Sequence, residues 1–153
     1  METKSYKNLD RSGWHSGEWD NEPDKMQWPD EATGLPCLAV RQKDNGHWCG
    51  YVGVTEEHPK FSLGYSEVDA EVHGGLTYAD ACQPRVDESR GICHTPPVGE
   101  PDHVWWFGFD CAHAWDYSPG ERTRIREADQ TYRTLDYVRE NCRGLAKQLR
   151  AMK

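Results

Sequence analysis

Aliphatic residues, positive charge and long apolar runs are what this 153-residue sequence has least of. No stretch approaches the ~18 consecutive apolar residues of a membrane-spanning helix, so a membrane partner is not expected. The N-terminal METKSYKNLDRSGWHSG lacks the apolar run of a signal peptide, and the expected location is the cytoplasm. Only 18 Lys and Arg stand against 26 Asp and Glu, a formal charge of −8. Such a surface repels a phosphate backbone and speaks against duplex nucleic acid as a partner, while it suits a basic protein surface. There is no CxxC pair, which excludes a zinc finger of ordinary spacing but not a metal site assembled from distant residues. The six cysteines (Cys37, Cys49, Cys82, Cys93, Cys111 and Cys142) are expected, in a cytoplasm, as free thiols or metal ligands rather than disulfides.

What is present is aromatic. Hydrophobic residues make up 36% of the chain, yet seven Trp and seven Tyr supply the packing area for one core. Residues 1–35, rich in Gly, Pro and acids, are expected to be an irregular arm anchored by Trp14, Trp19 and Trp28 on a single domain of residues 36–153. LPCLAVRQKDNGHWCGYVGV predicts a hairpin, its turn at Asp44-Asn45-Gly46. Val68, Ala70 and Val72 alternate with Asp69 and Glu71 and predict a half-buried strand ending at His73. Cys82 to Asp102 reads as a long excursion, and His103 to Phe109 as a central strand covered on both faces. Leu135, Val138, Cys142, Leu145 and Leu149 recur at helical spacing and predict a helix from about Ala128 to Arg150. The expected fold is α+β: an antiparallel sheet of about four strands with this long C-terminal helix packed on one face and the irregular Trp-rich N-terminal arm. The same 3,4 spacing also fits a homodimer through the C-terminal helix.

In VWWFGFDCAHAWD a run of bulky apolar residues gives way to acids, a thiol and an imidazole. Asp110, Cys111, His113 and Asp116 follow the end of one expected strand, and His73-Gly74-Gly75 the end of another. If the two ends share a rim they form a polar cluster. Three chemical readings compete. A small polar ligand could be held by His73, the Gly74 and Gly75 amides, Thr77, Trp106, Asp110, His113 and Asp116. A divalent metal such as zinc could sit on Asp110, His113, His73 and Cys111 and activate water. A thiol nucleophile, Cys111 or Cys82, could be activated by His73 or His113 with Asp110 or Asp116 as orienter. Against all three stands a purely structural role, since Asp and His near strand ends often satisfy turn backbone. His58 and His94 read as surface turns, although Cys93-His94 could add to a metal site; GVTEEHP and GEWDNEPD read as solvated acidic loops. Arg122, Arg124 and Arg126 could catch a phosphate.

At EPDKMQWPDEATGLPCLAV, GYVGV, VHGGLTY, EPDHVWWFGFDCAHAWD and YRTLDYVRENC the chain resembles a family of small uncharacterised proteins encoded by tailed bacteriophages and prophages, over roughly Trp19 to Leu149. The resemblance implies a phage accessory protein in the host cell cytoplasm. It supplies a setting rather than a mechanism. In that family the position of Trp115 is usually small, so a Trp there would narrow any pocket. In this setting three functions are open. The chain binds a small polar or nucleotide-like ligand to counter a host defence signal, hydrolyses one with a metal at His73, Asp110 and His113, or uses its acidity to block a host defence protein.

Overall fold

The computed structural model describes residues 1–83, 87–100, 103–121 and 129–153. Arg122, Arg124, Arg126 and Ala128 lie outside the described residues. The fold is α+β. In chain order the strands are β1 (Lys4–Tyr6), β2 (Lys25–Pro29), β3 (Pro36–Arg41), β4 (Trp48–Val54), β5 (Tyr78–Ala81), β6 (Trp105–Asp110), β7 (Asp116–Tyr117) and β8 (Thr131–Tyr132), followed by the helix α1 (Leu135–Ala151). The first six form one antiparallel sheet in the order β1-β2-β3-β4-β6-β5, and β7 pairs with β8 in parallel.

The sheet exceeds four strands because residues 1–35 contribute β1 and β2 to it and β5 adds an edge that the sequence does not predict. β2 escapes sequence reading because its far face is polar yet buried. Lys25 and Gln27 are each 1% exposed, and their side chains donate to backbone carbonyls: Lys25 Nζ to Gly91 (2.7 Å) and Cys93 (2.9 Å), Gln27 Nε2 to Glu2 (2.8 Å). Of the acids of GEWDNEPD, Glu18 and Asp20 are exposed as the sequence predicts, whereas Glu22 and Asp24 turn inward. Asp24 accepts from Arg11 Nε (3.1 Å) and from the amides of Asn8 and Leu9 (both 2.8 Å). Glu22 pairs with Arg41 (3.1 Å), whose fully buried guanidinium lies 4.1 Å over the Trp48 ring. Trp19 and Trp28 anchor this segment in the main core, with Trp14 packed against it.

The β3–β4 hairpin forms as the sequence predicts, but through a loop of residues 42–47 rather than a two-residue turn. Gly46 takes the positive φ (+77°), and Gln42 Oε1 accepts from the amides of Asp44 (2.8 Å) and Asn45 (2.6 Å). Alternation along the strands then sorts two apolar layers. Cys37, Ala39, Val52, Val54, Phe107 and Phe109 face α1, whereas Leu38, Val40, Tyr51 and Trp106 face the excursion that carries Cys82 and Ile92. β6 is therefore central and covered on both faces, as its continuous apolar character predicts.

Helix α1 begins at Leu135. Thr134 is its N-cap and accepts from the Tyr137 amide, and Thr131–Tyr132 pair as β8 with β7, so the helix starts at the first residue of the apolar stripe rather than at about residue 128. Val138, Cys142, Leu145 and Leu149 are completely buried against β3 and β4. Each fully buried aliphatic chain contributes roughly 1.5–3 kcal/mol. That stripe is occupied by the sheet of its own chain, so it is not the seam of a helix-mediated homodimer. The expected strand at residues 68–72 is absent: Tyr65–Glu67 is a short 3-10 turn and the chain beyond it runs unpaired by any strand. Val68 is buried and Ala70 and Val72 pack on the core, but the backbone bonds go to helix side chains. The Glu71 amide donates to Gln148 Oε1 (2.7 Å), Gln148 Nε2 returns to the Glu71 carbonyl (2.7 Å), and the His73 amide donates to Asn141 Oδ1 (3.0 Å). Apolar alternation reported burial correctly, and hydrogen-bond partners on α1 replaced a neighbouring strand.

Cys82 and Cys93 form a disulfide, against the expectation of free thiols, while Cys37, Cys49, Cys111 and Cys142 are free. Among the described residues no helix is long and apolar enough to cross a membrane.

Candidate metal centre

Three local devices bring the site together. The 68–73 segment, tied to α1 by Asn141 and Gln148, ends at His73 and turns through Gly74 (φ +68°) and Gly75 (φ +81°), with the Gly75 amide donating to the Val72 carbonyl (2.9 Å). After β6 the chain makes a tight turn in which the Asp116 amide donates to the His113 carbonyl (2.9 Å) and the His113 amide donates back to Asp116 Oδ2 (3.1 Å). The β7–β8 pairing then sets Arg133, the residue after β8, beside Asp116, and Arg133 Nε donates to Asp116 Oδ1 at 2.8 Å.

Asp116 is the hub. Its Oδ2 lies 2.9 Å from His73 Nε2 and 2.9 Å from His113 Nδ1, and its side chain has no solvent exposure. Burial opposes its ionisation, but the hydrogen bonds from His73, Arg133 and His113 outweigh that and hold the carboxyl down at about 2. The far nitrogen of His73, Nδ1, meets the Tyr137 hydroxyl at 2.7 Å. A hydroxyl both donates and accepts, so Tyr137 satisfies either tautomer of that ring. The ring of His113 stacks on Trp115, centroids 4.9 Å apart and planes 8° from parallel, and Trp115 is 49% exposed. In neutral His113, donation from Nδ1 to Asp116 leaves the lone pair on Nε2, the ring atom that packs beside Gly74.

Of the residues the sequence singles out, His73, Gly74, His113 and Asp116 converge. Asp110 and Thr77 pair with each other (Thr77 Oγ1 to Asp110 Oδ2, 3.0 Å) outside the ligand set, because Asp110 alternates onto the opposite sheet face from Cys111. Cys111 is 2% exposed in the core, where burial, reinforced by the nearby Asp116, pushes its thiol up. It is neither a ligand nor an activated nucleophile there. Cys82 is bonded to Cys93, so it is no nucleophile either. Trp106 is completely buried on the far face of the sheet, its Nε1 donating to Cys82 Sγ (3.4 Å), and it does not line the rim. Gly75 has open space where a side chain would stand. His58 lies in a turn, its amide donating to the Thr55 carbonyl (3.0 Å) and its Nε2 meeting the Leu149 carbonyl near the end of α1 at 2.7 Å, whereas His94 is buried edge-on against Trp106. Sequence reading missed Arg133, Tyr137 and Asn141. Tyr137 and Asn141 are four apart on one helix face, a detectable spacing, whereas Arg133 has no local signal.

The donor set is that of an open borderline-metal site: two imidazoles and one carboxylate, with ligand atoms all within 4.8 Å of one another. Tetrahedral zinc bonds of about 2.0–2.1 Å place neighbouring donors roughly 3.3–3.4 Å apart, so the 2.9 Å spacings need only a few tenths of an ångström of opening. Tyr137 behind His73 and Arg133 behind Asp116 supply the outer contacts that orient such ligands. Compared with known protein families, curated proteins and solved structures, the chain matches none.

Proposed function

We propose that this protein is a metal-dependent hydrolase of a small polar, nucleotide-like substrate, with a divalent ion, zinc by preference, held by His73 Nε2, His113 Nδ1 and Asp116 Oδ2. The observation that carries the reading is that two imidazole nitrogens lie 2.9 Å from one buried carboxylate oxygen, with the remaining atoms of His73 and Asp116 already occupied by Tyr137 and Arg133. Three protein ligands leave a coordination position for water, whose pKa a bound zinc lowers to about 7. The chain's own residues do the rest. Asp116 fixes the facing nitrogens, the Tyr137 hydroxyl would accept a hydrogen bond from Nδ1–H of His73 with Nε2 as a ligand, and Trp115 presents a half-exposed aromatic face for a planar group of the substrate. In the phage setting that the sequence resemblance implies, the corresponding role is removal of a nucleotide-derived defence signal of the host.

A second reading, binding without reaction, is favoured by that same half-exposed Trp115 face, which offers stacking without a metal. Metal content separates the two. Protein purified without a histidine tag should contain stoichiometric zinc or another transition metal that His113→Ala loses while keeping its fold. Metal-dependent turnover of a nucleotide or cyclic-nucleotide panel should vanish with it. No metal in either protein removes the hydrolase reading and leaves the binding one.

A further inference from the structure

The second cluster of ligating side chains lies on the opposite face of the sheet, at the mouth of the excursion after β5. There Cys82 and Cys93 are bonded to each other, His94 follows directly, and the ligand atoms of all three lie within 4.8 Å. We infer that these three residues form a redox-gated soft-metal site, closed as the disulfide and opened to zinc or another thiophilic ion by a dithiol reductant.

The argument rests on what holds the mouth together besides the disulfide. The Gln83 amide donates to the Ile92 carbonyl (3.4 Å), and Gln83 Oε1 accepts from the Ile92 amide (3.2 Å). Lys25 Nζ, from inside the sheet, donates to the carbonyls of Glu88, Gly91 and Cys93. Gln27 Oε1 accepts from the Thr95 amide at 2.8 Å. Cutting the S–S bond therefore leaves both sulfurs at one place beside His94. Reduction transfers two electrons and two protons from the dithiol to the disulfide, giving two thiols and an oxidised reductant. Metal binding then releases the two thiol protons to solvent, and a neutral His94 adds a nitrogen lone pair. The Trp106 indole N–H, which already points at Cys82 Sγ from 3.4 Å, is an outer hydrogen bond of the kind that stabilises a metal-bound thiolate. Cys82 and Cys93 are half-buried residues, and the buried His94 ring lies edge-on to Trp106 at 5.5 Å. A reducing cytoplasm is the compartment in which the open form would prevail.

Cobalt tests this without reference to turnover, because a cobalt–thiolate bond gives a charge-transfer band that His and Asp ligands do not. The full chain is titrated with Co2+ before and after reduction by a phosphine, and the zinc affinity is read by displacement. The expected result is a thiolate band only after reduction, retained in His113→Ala, abolished in the double variant Cys82→Ser and Cys93→Ser, and shifted to about 100-fold weaker affinity in His94→Ala. Trp106→Phe should weaken binding by about 10-fold. The inference is overturned if reduced protein shows no band, or if the band survives the double variant. Loss of the native circular dichroism on reduction overturns it equally, since the mouth must hold without its disulfide.

Discussion

Gly74 lies directly against the imidazole of His113: a Cβ built on it would stand 2.1 Å from His113 Cε1 and 2.3 Å from Nε2. The glycine is required twice, by this contact and by its φ of +68°. Gly74→Ala should therefore lower stability by about 2–4 kcal/mol, from left-handed strain plus overpacking, and weaken zinc by displacing a ligand ring. Gly75→Ala is the internal control. It has φ +81° but nothing within 4 Å, so only the strain of about 1 kcal/mol remains and zinc affinity should hold. Denaturant unfolding and a zinc titration on the two variants check both statements.

Asp116 makes stability acid-sensitive with a definite sign. Its carboxyl is held at about 2 in the folded chain against an ordinary 3.8, so the folded state favours the ionised form. That contribution is fully present above pH 4 and is lost as pH falls through the interval toward 2, and it amounts to about 2 kcal/mol. Metal-free wild type should lose this stability between those limits. Asp116→Asn should start less stable at neutral pH and show a flatter profile there. Equal slopes in wild type and variant would mean that another carboxylate governs acid unfolding.

Much of the fold is legible in the sequence because the relevant physics is local. The helix follows from a stripe at 3,4 spacing and the hairpin from Asn45-Gly46 between apolar runs; both depend on residues within a few positions. β2 is not legible, since the buried positions Lys25 and Gln27 look solvent-facing until Gly91, Cys93 and Glu2 supply their carbonyl acceptors from elsewhere in the chain. The site shows the same division. His73 with its two glycines and the His113–Asp116 turn carry local signals, and they meet. The choice of Asp116 over Asp110 does not, because alternation along β6 sets the face of Asp110 while the place of Asp116 depends on how the chain turns after His113. Trp106 misleads for a related reason: its position in an apolar run says buried, not which layer it enters.

The free thiols should be inert. Burial pushes the Cys49 thiol up to about 12 and likewise raises those of Cys37, Cys111 and Cys142. Alkylation of native, oxidised protein at pH 8 followed by peptide mapping should leave all four unmodified on a timescale that fully labels the unfolded chain. Under mild reduction Cys82 and Cys93 should become the first sites labelled. Early labelling of Cys111 would bring back a thiol nucleophile at the rim.

Trp115 tests the substrate rather than the fold. It is 49% exposed, its one described ring contact is the stack on His113, and it lies outside both apolar cores. Trp115→Ala should therefore change stability by no more than about 0.5 kcal/mol, and His73, Asp116 and the His113 amide still fix the ligand atoms, so metal content should stay stoichiometric. A planar base stacked on an aromatic face is worth roughly 1–3 kcal/mol by alanine substitution, which corresponds to about a 5-fold to 150-fold rise in KM for a nucleotide-like substrate. Trp115→Phe keeps a stacking face and should recover most of that loss. If Trp115→Ala instead lowers kcat at constant KM, the indole acts by holding the His113 ring, and the planar group of the substrate lies elsewhere.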